Sequence, residues 1–176
     1  MTLVQAYYAL AAVLFAAGFL LLTGSPALRT FRRSRAAAAL LAVLASAWFG
    51  WWLLNLPEAD LAGLPRTPVV AVFVTASLAT IFYLPDLLPI RASGVLLLFL
   101  ARHVLDAGYG QLPHSLLAAV LSYGLLVFFG LWWAASPPAF VAQCDWLLSR
   151  PGRHRLVGAL LLLLGLGCVA QSFLLP

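Results

Sequence analysis

Arg102-His103-x-x-Asp106 is the densest group of ionisable side chains within an apolar stretch of this chain. On a helix, Arg102 and Asp106 stand four residues apart, share a face and can pair. An ionisable group in hydrocarbon costs at least ~2.5 kcal/mol on insertion scales, and pairing offsets part of that. The cluster therefore has two readings. It could pass a proton or an anion across a membrane, or it could be a neutralised pair that anchors a helix end. Gly108-Tyr109-Gly110 follows directly and signals a turn, which favours the anchor.

Asp86 and Arg91 form a second candidate, an inner-turn pair flanked by Pro85 and Pro89. Asp86 could carry protons in a transporter. More often such an aspartate caps the next helix or pairs with the neighbouring arginine. Metal chemistry has weaker support. His103 and His114 could approach Glu58 and Asp60, yet no HxxxH or HxxE spacing accompanies them. Haem would want histidines facing each other within spans. His103 alone qualifies, since His154 lies in an arginine cluster.

Several enzyme classes lack their residues here. There is no GxSxG, no HExxH, no glycine-rich phosphate loop and no pair of intramembrane aspartates. Lysine is absent, which removes Schiff-base chemistry and any lysine nucleophile. Cys144 and Cys168 show no ligand spacing and read as small apolar fillers rather than a disulfide. The expectation is no catalytic residue, no metal and no cofactor.

The elements that must hold these residues follow from composition. Of 176 residues, 64% are hydrophobic and 9% charged, with a mean hydropathy of +1.04. Ordinary soluble domains carry about 25% charged residues, and a water-facing surface could not absorb this much apolar side chain. Lipid as the outer solvent removes the conflict. In lipid the backbone must satisfy its own hydrogen bonds, so long Leu/Ala/Val runs are helices. The predicted fold is all-α, a polytopic transmembrane helix bundle in one membrane domain. Its six spans fall at about 3–22, 36–56, 69–84, 92–107, 115–135 and 156–175. The first lacks a basic leader and reads as an uncleaved span rather than a signal peptide. Residues 139–150 read as a short helix in the interface or as a covered loop. The fourth span is the shortest between charges, and a re-entrant hairpin with the third is the alternative to a full crossing.

All ten basic residues are arginine, giving a net charge of +5. Eight of them fall in the first, third and fifth connections: Arg29, Arg32, Arg33, Arg35, Arg91, Arg150, Arg153 and Arg155. The positive-inside rule then places these connections in the cytoplasm and the N-terminus outside, consistent with a bacterial inner (cytoplasmic) membrane. Topology and anionic lipid explain the arginines better than nucleic acid, for which no aromatic-plus-basic motif is present.

Small residues recur at helical steps in Ala42, Ser46 and Gly50 and in Gly158, Gly165 and Ser172, as close helix contacts in lipid require. Phe49-Gly50-Trp51-Trp52 before Pro57 matches Phe129-Gly130-Leu131-Trp132 before Pro137 at an offset of 80 residues. That offset suggests a 3+3 inverted repeat, the organisation of many secondary transporters. Two functions follow as expectations. The first is an accessory or scaffold subunit of a membrane assembly, whose partners are membrane lipids and other membrane subunits or further copies of itself. The alternative is a small transporter or permease that uses Arg102, His103 and Asp106.

Overall fold

A computed structural model describes residues 1–25, 27–57, 65–83 and 87–175, and all regular structure among them is helical. The helices are α1 (Leu3–Leu22), a short α2 (Ala27–Thr30) followed by a 3-10 turn (Phe31–Arg33), α3 (Arg35–Leu54), α4 (Arg66–Tyr83) and α5 (Leu88–Gly108). Then come α6 (Leu116–Leu121), α7 (Phe128–Ala135), α8 (Pro137–Leu148) and α9 (Pro151–Phe173). Wider π-type turns over Ser122–Val127 join α6 to α7, making one rod, Leu116–Ala135.

Among the described residues, five helices are long and apolar enough to cross a membrane: α1, α3, α5, the α6–α7 rod and α9. The fourth predicted span is among them. At 1.5 Å per residue the 21 residues of α5 reach about 31 Å, and Arg102 lies on this continuous helix. The third span is the weak one. The apolar part of α4 runs only from Arg66 to Thr80, about 22 Å against a hydrocarbon thickness of ~30 Å.

The helix starts are encoded locally. Thr2 caps α1 in a reciprocal box: its hydroxyl accepts from the Gln5 amide at 3.3 Å, and its own amide donates to the Gln5 side chain at 3.0 Å. Ser34 caps α3 by accepting from the Ala37 amide at 3.2 Å. Pro89, Pro137 and Pro151 occupy first turns, where a missing N–H costs nothing.

With α4 counted beside these five, successive helices alternate in direction. α9 lies antiparallel along α1, with Gly158 against Gly18 and Gly165 against Phe15. α5 is the hub: it touches α1, α3 and the α6–α7 rod, and α4 packs on the far side of α3. Gly94 of α5 meets Gly130 of α7 in a second glycine crossing. The small-residue faces therefore serve contacts within the chain. The core joins Leu3, Tyr7, Leu10 and Leu14 to Ala101 and Val104, Ala118 and Leu121, and Cys168. Outward, Leu156, Leu160, Leu163, Leu166 and Phe173 of α9 are more than half exposed, an apolar belt suited to lipid.

The residues that suggested a repeat have unlike neighbours. Gly50 faces Val74 of α4, so an 80-residue equivalence would set Gly130 against α9; Gly130 packs on Gly94 of α5 instead.

Candidate functional site

The Arg102 cluster is built by α3 and α5, which run parallel from the end that carries most arginines toward the opposite end. Trp48 and Trp52 project from α3 four residues apart, and Phe99, Arg102, His103 and Asp106 come from the last turns of α5. The Arg102 guanidinium lies 4.8 Å from the centre of the Trp52 ring. Its Nε is 3.6 Å from Asp106 Oδ2, and the two side chains are 49% and 70% exposed. Arg102 is thus attracted both to a ring face and to a carboxylate within its own helix turn.

His103 packs on Trp48, with ring centroids 5.2 Å apart. Its Nδ1 lies 2.9 Å from the Phe99 carbonyl, which can only accept, so Nδ1–H is the donor. Trp48 also stacks on Phe99 at 5.9 Å. A hollow of about 550 Å³ opens beside them between α1, α3 and α5, lined by Val13, Leu44, Trp48, Trp51, Leu97 and Leu100 among others. Its lining is apolar throughout and suits a lipid chain rather than an ion.

Of the second candidate pair, Arg91 is exposed in the first turns of α5, and Asp86 lies outside the described residues. Glu58 and Asp60 lie outside them too. Among the described residues, no three His, Cys, Asp or Glu side chains are placed to hold a metal ion.

Three polar features carry no sequence motif. Tyr7 is fully buried, and its hydroxyl donates to the His114 carbonyl at 2.6 Å, tying α1 to the start of α6. Its neighbour Tyr8 is exposed. The signal was present in the spacing Leu3, Tyr7, Leu10, Leu14, one face of a helix. At the other end, the His154 Nδ1–H donates to the Leu21 carbonyl at 2.8 Å. The third feature, Ser122 in the π-type turns, is fully buried and its hydroxyl has no hydrogen-bond partner.

Near the arginine-rich end, Cys144 of α8 is buried and free. Burial, with the Asp145 charge adding to it, pushes its thiol up to about 11. It lines a smaller hollow of about 170 Å³ with Leu28, Arg32, Phe140, Val141 and Asp145. The indole N–H of Trp133 donates to the side-chain Oε1 of Gln143 at 2.9 Å and fastens α8 to α7.

Set beside known proteins, the chain matches no family model, no curated protein and no solved structure.

Proposed function

We propose that the chain is a six-span integral membrane protein that serves as an accessory or scaffold subunit of a membrane assembly. In this reading its arginine-bearing connections lie in the cytoplasm and its N-terminus on the other side, as in a bacterial inner membrane. One observation carries the proposal. Among the side chains described, no Asp, Glu, His or Arg is buried; the buried polar side chains are Ser46, Ser115, Ser122 and Ser172, with Tyr7, whose hydroxyl is committed to the His114 carbonyl. A path for ions or protons needs titratable or coordinating groups at depth, whereas a scaffold needs only packed helices and an apolar outer face. The permease alternative draws no support from Arg102 and Asp106, which are open to the surroundings and sit near an apolar hollow. Nor do the neighbours of Gly50 and Gly130 favour inverted halves.

The test is extraction from the native membrane in mild detergents, followed by identification of co-purifying chains. A stoichiometric membrane partner, or a stable homo-oligomer, is the expected result. A lone monomer under several gentle conditions would remove the proposal. Reporters fused after residue 33 test the orientation separately and should read as cytoplasmic.

A further inference from the structure

Segments far apart in the chain deliver their arginines to one end of the bundle. Arg32 and Arg33 close the 3-10 turn, and Arg35 opens α3. Arg91 stands near the start of α5, while Arg150, Arg153 and Arg155 lie where α8 passes into α9. Packing fixes these segments together. Phe31 rests on Phe140 with ring centroids 5.9 Å apart, the 3-10 turn touches α5, and His154 is bonded to the end of α1. Among the described residues the one ion pair is Arg102 with Asp106, at the opposite end. Asp145, which lines the smaller hollow with Arg32, is the one described carboxylate at this end and forms no ion pair with the arginines gathered here, whose mutual repulsion opposes the packing that gathers them.

Their position selects the counter-charge. They stand where the lipid-facing leucines of α9 stop. Exposed Trp146, with the Arg153 guanidinium 4.5 Å from its ring centre, suits the headgroup level. The nearest phosphates at that level belong to the bilayer. We propose that this end binds anionic phospholipid, with guanidinium groups taking headgroup phosphates through paired N–H donors. The 170 Å³ hollow between α2 and α8 gives one phosphate a recessed seat at Arg32, and Asp145 at its edge works against that anion.

The full chain is reconstituted in bilayer discs of phosphatidylethanolamine doped with phosphatidylglycerol. Lipid retained on the protein after gentle extraction is then measured by mass spectrometry. Phosphatidylglycerol should be enriched several-fold over its share of the disc at low salt, and the enrichment should shrink toward that share as salt rises. Each arginine near the surface contributes up to about fivefold. The combined Arg32→Gln, Arg33→Gln, Arg35→Gln variant should lose most of the enrichment, and Asp145→Asn should increase it. Arg102→Gln, at the other end, should leave it unchanged. Retention at the bulk ratio in the unaltered chain at low salt would overturn the proposal, as would an equal loss in Arg102→Gln. The salt titration uses the unaltered chain, so a variant that misfolds does not remove the test. Partner subunits are absent from the discs, so the result stands apart from the scaffold reading.

Discussion

Replacing Gly158 by alanine probes how α1 and α9 hold together. A Cβ at that position would stand 2.8 Å from the Gly18 carbonyl oxygen and 2.9 Å from the Leu22 amide nitrogen. Both are backbone atoms of the facing helix and cannot rotate away. Ordinary contact begins at 3.4 Å, so the shortfall is 3.4 − 2.8 = 0.6 Å. α9 must back off by about that amount, and a gap of 0.5–1 Å forfeits roughly a quarter to a half of each dispersion contact. Overpacking of this kind costs about 1–3 kcal/mol. Alanine returns about 0.5–1 kcal/mol by its better helix propensity. Gly167 on the same helix shows that gain alone, because its Cβ would meet open space. Gly158→Ala should therefore be less stable than Gly167→Ala by about 1–3 kcal/mol, since both share the propensity gain. Unfolding in mixed micelles titrated with a denaturing detergent measures the difference. Gly94→Ala should repeat the loss, with its Cβ 2.7 Å from the Gly130 carbonyl. Gly165→Ala should fall between, since its close neighbour is the edge of the Phe15 ring, which can tilt. If Gly158→Ala proved as stable as Gly167→Ala, the reasoning about backbone contact would be wrong.

Other outcomes follow from single contacts. Tyr7→Phe removes the donor to the His114 carbonyl without changing the packing and should cost about 1–2 kcal/mol in the same micelle titration. Arg102→Gln or Asp106→Asn should each change stability by less than ~1 kcal/mol, because the pair is exposed and solvent screens it. The Cys144 thiol, raised to about 11, should resist maleimide at pH 8 in the folded chain and react quickly once unfolded, as peptide mapping would show. Its folded form keeps the proton longer than the unfolded one, so its contribution to stability holds below the ordinary value of 9.0 and is lost as pH rises through about 11.

Much of the scaffold was legible because apolar length and arginine position are strong signals in lipid. The first span, Leu3–Leu22, agrees with α1 residue for residue, since Thr2 and Gln5 form its cap in plain view. Prolines mark other boundaries from both sides. Pro137 and Pro151 follow the ends of α7 and α8 and also open α8 and α9, because proline breaks a helix from within yet suits its first turn. The interruption at Ser122–Val127 left no mark on the sequence, for Ser-Tyr-Gly-Leu-Leu-Val fits ordinary helix as well as π-type turns. Nor did the small-residue stripes name their partners. Periodicity reveals which face packs, while the facing helix depends on long-range topology.

The same topology explains why the most chemical-looking residues lie at the rim. α5 turns Ala101, Val104 and Ala107 toward the core, and this face lets α1 and the α6–α7 rod approach the hub. Arg102 and Asp106 are thereby fixed on another face. Arg102 lies six residues, or about 9 Å, before the end of the helix at Gly108. A guanidinium on its long stem can reach headgroups from that depth, and the Trp52 face covers it on the way. Asp106, one turn further along, meets it near the surface. Moving the pair into the core would require rotating α5 and displacing the small residues that make it the hub. The packing itself thus favours a charge anchored at the rim over one placed along a conducting path.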